Sequence, residues 1–161
     1  MSVVYLQLGS NLGDRKYLLR RALAEIEFFL GNIINKSNIY ESSPWGLDEQ
    51  LYYLNQIVLV ETSYTANEVL ANILNIETLI GRKRNNKWGA RLIDIDIIFY
   101  DNQIINTPAL CVPHKYMHER NFVLVPLSEI ASNYIHPIYN KTVGILLQEC
   151  KDSGKVTKYE I

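Results

Sequence analysis

The hydrophobic residues of this chain recur with two different spacings, and the order in which those spacings alternate limits the folds open to it. Runs with the composition and spacing of β-strands lie at residues 3–8, 33–40, 54–61 and 93–100. Between them, residues 19–30 and 69–80 repeat apolar side chains at helical spacing. The order β-α-β-β-α-β predicts a ferredoxin-like α+β fold, in which two helices cover one face of an antiparallel sheet. We expect a C-terminal extension after it, and a free opposite face where a site can lie.

Local signals predict where the helices begin and where the chain loses regular structure. Asn11 or Asp14 can cap the first helix, and residues 65–68 (TANE) form a capping box for the second. The stretch 101–122 is predicted to be rich in loops, and two short helices are expected near 126–131 and 142–149.

Composition excludes several classes of protein. The 161 residues fit one domain, 1–161, and their net charge of −1 argues against a general nucleic-acid binder. No apolar run reaches the roughly 20 residues that span a bilayer, and the first residues lack a secretory signal, so we expect no membrane partner. Two widely separated cysteines fit a reducing compartment, and we expect a cytoplasmic protein whose partners are small molecules.

The strand at 93–100 carries the most informative pattern, because aspartates alternate with isoleucines. Asp94 and Asp96 are predicted to share one face, about 6.6 Å apart along the backbone, while residues 93, 95, 97 and Phe99 pack against the helices. Two neighbouring carboxylates repel each other unless a cation lies between them, and oxygen ligands suit Mg²⁺. The alternative is a half-exposed strand with charged positions facing solvent.

A basic segment leads directly into this acidic strand. Residues 81–91 (GRKRNNKWGAR) contain five of the sixteen basic residues and no acid, a composition that suits a polyphosphate bound together with a metal. A solvated loop is the alternative. His114, Lys115, His118 and Arg120 offer further phosphate donors, while Tyr53, Asn55 and Phe122 offer the aromatic and amide groups that bind a heterocycle.

The run KWGARLIDIDII, residues 87–98, resembles the signature of the 6-hydroxymethyl-7,8-dihydropterin pyrophosphokinases of folate biosynthesis. The resemblance extends to LGSNLGD near the start, to YESSPWG, to YLN at residues 53–55 and to the run 112–131. It implies a ferredoxin-like fold and transfer of the β,γ-pyrophosphoryl unit of ATP to the pterin hydroxymethyl oxygen, with release of AMP.

The resemblance also implies individual roles, which stay expectations at this point. Catalysis would involve Arg82, Arg91, Asp94 and Asp96, with both aspartates holding two Mg²⁺ ions. ATP contacts would come from Glu77, Arg84, Trp88, Ile97, His114 and Arg120. Pterin contacts would come from Ser42, Pro44, Trp45, Tyr53, Asn55 and Phe122. Segments 42–50 and 82–91 are expected to close over both substrates. Ser42 and Ala90 replace a common threonine and proline, and Leu74 and Ala109 replace polar nucleotide contacts of some members.

Two other functions fit parts of the pattern. A metal-dependent nucleotidyltransferase also uses a Gly-Ser turn and a D-x-D strand, but here Ser10 lies more than eighty residues from Asp94. An RNA-binding ferredoxin-like module would carry aromatic residues on its central strands, where this chain is predicted to carry acids.

Overall fold

The computed structural model describes residues 1–43, 52–81 and 92–160. Its main sheet is antiparallel and consists of β1 (Ser2–Ser10), β2 (Asn32–Lys36), β3 (Tyr40–Ser42), β4 (Tyr53–Thr62), β5 (Asp94–Tyr100) and β8 (Val156–Lys158). The strand order is β5-β1-β4-β3-β8, and β2 also pairs with β4. The four predicted strands therefore lie in the ferredoxin-like order, which confirms the α+β prediction.

The predicted second strand is divided in two. β2 pairs with Val58–Glu61 near the end of β4, and β3 pairs with Tyr53–Asn55 at its start. Between them Ser37 turns inward, where its Oγ accepts a hydrogen bond of 3.0 Å from the Ile57 amide. The C-terminal extension then supplies β8, which pairs with β3 and extends the sheet by one strand.

Two helices cover one face of the sheet, as predicted. Helix α1 (Arg15–Phe29) begins after Asp14, whose carboxylate accepts from the Tyr17 amide at 3.1 Å. Helix α2 (Ala66–Ile80) begins with the predicted capping box, because Thr65 and Glu68 each accept from the other's amide. The apolar sides of both helices pack against alternate residues of the sheet. These include Val4, Leu6, Leu8, Val58, Val60, Ile93, Ile95 and Ile97.

The prediction that the opposite face is free is wrong for half of that face. Helix α3 (Asn121–Ala131) and helix α4 (Val143–Glu149) pack on it and enclose a second core. Helix α3 begins five residues before its predicted start, because its first turn already packs Val123 and Leu124 into this core. The stretch predicted to be rich in loops contains a hairpin, β6 (Ile105–Asn106) with β7 (Cys111–Val112), and a short 3₁₀ helix, Met117–Glu119.

A β-bulge explains one wrong prediction within β5. Leu6 pairs with Ile97 and Tyr5 pairs with Phe99, so Ile98 is an extra residue in the strand. The extra residue places Ile98 and Phe99 together on the α3 and α4 side. Phe99 therefore packs against the second core and not against α1 and α2, where strict alternation predicted it.

Two further observations concern the described part of the chain. No helix in it combines the length and the apolar character needed to span a membrane. Cys111 and Cys150 are free and half-buried.

Candidate active site

A cavity of about 640 Å³ lies on the half of the sheet face that α3 and α4 leave uncovered. Its floor is formed by the ends of β1, β4 and β5, and the start of α3 forms one wall. Seven residues predicted from the sequence line this cavity: Ser42, Tyr53, Asn55, Asp94, Asp96, Arg120 and Phe122. The fold thus brings together residues that lie far apart in the chain.

The two aspartates face the cavity from the edge of the sheet. Asp94 pairs with Gly9 and Asp96 with Gln7 on the neighbouring β1, so both carboxylates project from the same face as predicted. Asp94 is half-buried and Asp96 is exposed. Gly9 opposite Asp94 has no side chain, which leaves room above the strand for a ligand.

This donor set fits magnesium. Among the residues that the structure describes, no group of three or more His, Cys, Asp or Glu side chains is arranged to hold a metal. A structural zinc site needs about four such ligands, whereas Mg²⁺ is commonly held by one or two carboxylates and completes its shell with waters and phosphate oxygens. Two carboxylates beside an open cavity match the second pattern.

Arg120 and His114 are two basic residues on the side of the cavity where the aspartates lie. The Arg120 guanidinium carbon lies 5.3 Å from the Tyr116 ring centroid and 5.7 Å from that of Phe122, so both rings hold it at the rim of the cavity. Burial lowers the pKa of His114, while Asp96 opposes that shift and Arg120 adds to it. Nδ1 of His114 accepts from the Tyr116 amide at 3.3 Å, which leaves Nε2 as the donor of a neutral ring.

A chain of hydrogen bonds orders the opposite side of the cavity. The buried Asn55 donates through Nδ2 to Ser42 Oγ at 2.7 Å. Gln7 donates through Nε2 to Asn55 Oδ1 and to the Phe122 carbonyl, both at 3.2 Å. Tyr53 and Phe122 line the same cavity and supply aromatic surfaces. An oriented amide and two aromatic rings in one cavity are suited to the edge and faces of a flat heterocycle.

Three predicted ATP contacts are not among the residues that line the cavity: Glu77, Ile97 and His114. The Ile97 side chain is in the core between the sheet and helices α1 and α2. Glu77 is buried on α2, and its Oε2 accepts from the Ile95 amide at 3.0 Å. Their roles toward ATP stay predictions.

Six other predicted residues lie outside the residues that the structure describes: Pro44, Trp45, Arg82, Arg84, Trp88 and Arg91. The two segments expected to close over the substrates, 42–50 and 82–91, also lie outside the described residues, apart from residues 42 and 43.

Sequence reasoning missed five residues of the lining: Gln7, Gly9, Ser43, Tyr116 and Glu119. For Gln7 a signal was present, since it is a polar residue inside an otherwise apolar strand. In the predicted sheet order β1 is next to β5, so a polar side chain on β1 has the acidic face of β5 as a neighbour.

The fold and the cavity together define a ferredoxin-like α+β protein whose small-molecule site joins two carboxylates to aromatic and amide groups. The sequence profile of the 7,8-dihydro-6-hydroxymethylpterin-pyrophosphokinase (HPPK) family matches residues 5–132. The chain belongs to this family, which confirms the resemblance seen in the sequence.

Individual relatives match most of the chain. A protein of Aquifex aeolicus named 2-amino-4-hydroxy-6-hydroxymethyldihydropteridine pyrophosphokinase is 45% identical over 141 residues, which are 88% of either chain. A Bacillus subtilis protein of the same name is 42% identical over 130 residues, covering 80% of this chain and 78% of its own. The crystal structure of Plasmodium falciparum HPPK-DHPS with pteroate superposes with a TM-score of 0.77 at 19% identity, covering 92% of this chain and 44% of that longer one. This likeness confirms the fold.

Proposed function

We propose that this protein transfers the β,γ-pyrophosphoryl unit of ATP to the hydroxymethyl group of 6-hydroxymethyl-7,8-dihydropterin and releases AMP, a step of folate biosynthesis. The observation that carries the proposal is the single cavity in which Asp94 and Asp96 meet the Asn55 amide and two aromatic rings. Membership of the pyrophosphokinase family supports the same reaction.

The pterin would lie between the rings of Tyr53 and Phe122, with its edge against Asn55 and Ser42. Gly9 of β1 pairs with Asn55 of β4 on one side and with Asp94 of β5 on the other. The Asn55 amide and the acids are therefore separated by the width of one strand. A heterocycle bound at Asn55 with its hydroxymethyl group directed along the floor would have that group beside the carboxylates. Phosphoryl-type transfer mainly requires positioning and charge stabilisation, and this arrangement provides the positioning.

The triphosphate would lie above Asp94 and Asp96, with Arg120 and His114 as neighbouring donors. The two carboxylates would hold Mg²⁺, which when bound supplies electrostatic stabilisation of the phosphate oxygens. In the transfer, the hydroxymethyl oxygen forms a bond to the β-phosphorus, the bond from that phosphorus to the α,β-bridging oxygen breaks, and the hydroxyl proton is lost. Arg120 would compensate negative charge from the cavity rim, where two rings fix its guanidinium. We assign no side-chain base.

The proposal extends to the organisation of the chain. Both hydrophobic cores use the same sheet, which supports residues 1–161 acting as one domain. The two free cysteines support a reducing compartment such as the cytoplasm.

Incubation of the purified protein with ATP, Mg²⁺ and the reduced hydroxymethyl pterin tests the reaction. We expect AMP to appear only when the pterin is present, in a one-to-one ratio with the pterin diphosphate. Pyrophosphate release would identify a nucleotidyltransferase instead, and AMP formation without pterin would contradict the proposed acceptor. Omission of Mg²⁺ with a chelator present is the matched control, and it should abolish turnover.

A further inference from the structure

Gln7 occupies a central place in the cavity floor that the proposed function does not yet use. Gln7 pairs with Asp96 of β5 on one side, and its side chain donates a hydrogen bond to Asn55 of β4 on the other. It therefore lies between the carboxylates proposed to hold Mg²⁺ and the amide proposed to contact the pterin. Only 4% of Gln7 is exposed, and the residue lines the cavity.

The hydrogen bonds of Gln7 define which way the Asn55 amide points. The Phe122 main-chain carbonyl can only accept, so the Gln7 atom 3.2 Å from it must be the donor Nε2. The Asn55 atom that receives the second bond from Nε2 must then be the acceptor Oδ1. This leaves Nδ2 of Asn55 facing Ser42 Oγ, where it donates at 2.7 Å. The Phe122 carbonyl thus determines the orientation of the Gln7 amide, and Gln7 in turn determines the orientation of the Asn55 amide.

This arrangement has a cost in stability. Oε1 of Gln7 is buried and has no hydrogen-bond partner among the described residues. A buried acceptor without a partner is unfavourable. The amide is present despite this cost, and the groups that it serves through Nε2 are the Asn55 side chain and the Phe122 carbonyl, both at the cavity.

We propose that Gln7 is a positioning residue for the pterin, because it locks the Asn55 amide in the orientation that presents its donor and acceptor to the heterocycle. This inference rests on the proposed function. Gln7 touches no reacting atom; it acts through Asn55 and through the start of α3, which carries Phe122.

The test replaces Gln7→Met, which keeps the volume and removes both amide functions. We expect the KM for the pterin to rise about ten-fold, the scale of one lost oriented hydrogen bond. The KM for ATP should stay within about two-fold. The melting temperature should change by only a few degrees, because the loss of the unpartnered Oε1 offsets part of the cost of leaving Asn55 Oδ1 and the Phe122 carbonyl without their donor. Pterin affinity, measured directly by fluorescence quenching, should fall by the same factor as the KM rises.

Gln56→Met is the matched control. Gln56 is also a buried glutamine with an unpartnered Oε1 among the described residues, and its Nε2 donates to the Ser37 carbonyl at 2.8 Å. It is adjacent to Asn55 in the chain but does not line the cavity. The control should leave both KM values unchanged.

A double-mutant cycle with Asn55→Ala separates positioning from a general packing effect. If Gln7 acts through Asn55, Gln7→Met should have little further effect on pterin affinity once Asn55 is alanine. An unchanged pterin KM in Gln7→Met overturns the proposal, and so does an equal rise of both KM values with a lower melting temperature. The same holds if Gln7→Met and a second variant, Gln7→Leu, both fail to fold. Failure of the proposed reaction appears separately, as absence of pterin-dependent AMP release by the unaltered protein.

Discussion

The two halves of one sheet face differ sharply, although they are formed by the same three strands. Under α3 and α4 the face presents Tyr5, Ile57 and Phe99. Two or three residues away on each strand it presents Gln7, Asn55 and Asp96, which line the cavity. The covered half stabilises the fold through burial, and the open half keeps polar groups accessible to ligands. A site built this way needs no separate scaffold, since the strands that anchor one half also fix the positions of the other.

The largest effect on this contrast is expected from Asp96→Ala in the open half. Turnover should fall on the order of 10³-fold or to background, because a carboxylate proposed to hold Mg²⁺ is lost. The exposed side chain contributes little to folding, so the melting temperature should not decrease. Steady-state kinetics and thermal unfolding of the same preparation check both parts. Activity near that of the unaltered protein would refute the metal assignment.

Phe99→Ala should produce the opposite result in the covered half. Phe99 is 1% exposed and packs edge-on against Tyr5, at a centroid distance of 6.1 Å. Its truncation should lower the free energy of unfolding by about 3–5 kcal/mol, as measured by urea denaturation. The kcat of the molecules that remain folded should change little. A selective loss of kcat without loss of stability would show that the two halves are not separable.

A pH titration of stability sharpens the comparison further. Burial lowers the pKa of His136 from 6.5 to about 4, and its Nδ1 accepts from the amides of Ile138 and Tyr139 at 3.1 and 3.3 Å. Protonation of Nδ1 would break both bonds. The unfolded chain therefore binds this proton at a higher pH than the folded one, and stability falls as the pH decreases from 6.5 to 4.

The expected loss over that range is at most about 3 kcal/mol, following 1.36 kcal/mol per pKa unit. The measurement is chemical denaturation at several pH values, with His136→Asn as a control that keeps a side-chain acceptor but does not titrate. Subtracting the unfolding free energies of His136→Asn from those of the unaltered protein at each pH removes the contribution of the carboxylates and leaves that of His136. Parallel pH profiles would contradict the assignment.

The smallest effect is expected at the border between the halves, in Asn121→Ala. The Asn121 side chain donates to the carbonyls of Asp152 and Gly154 at 2.9 and 2.7 Å and so ties the start of α3 to the C-terminal segment. Its loss should lower the free energy of unfolding by about 1–2 kcal/mol. The pterin KM should rise a few-fold, because the next residue, Phe122, lines the cavity. Ser128→Ala, which removes a bond to the Val125 carbonyl within α3, should leave that KM unchanged.

The sequence contained enough information to predict the side of the sheet on which the acids lie. Strand alternation placed Asp94 and Asp96 on one face and Ile93, Ile95 and Ile97 on the other, and the structure agrees. The capping box of α2 was equally direct, because its two hydrogen bonds are local. Both successes depend on interactions within a few residues of the chain.

Predictions that depended on long-range contacts were less successful. The bulge at Ile98 could not be predicted, because residues 97–100 are all apolar and the extra residue arises from pairing with Tyr5 and Leu6, more than ninety residues away. The covering of half the face by α3 could not be read from local periodicity, because the helix gains its stability from the second core. Gln7 was missed although it is a polar residue in an apolar strand, because its hydrogen-bond partners Asn55 and Phe122 lie 48 and 115 residues away in the chain.

The bulge has a consequence for how β5 tolerates changes in its length. Ile98 is the residue by which this strand exceeds its partner, so a deletion there would restore a regular ladder with β1. Asp94, Asp96, Phe99 and Tyr100 would all keep their present sides of the sheet. A deletion of Ile95 has no such slack, because it would turn Asp94 inward against α2. A change in the length of β5 at Ile98 therefore leaves Asp94 and Asp96 on the cavity side of the sheet, whereas a change at Ile95 does not.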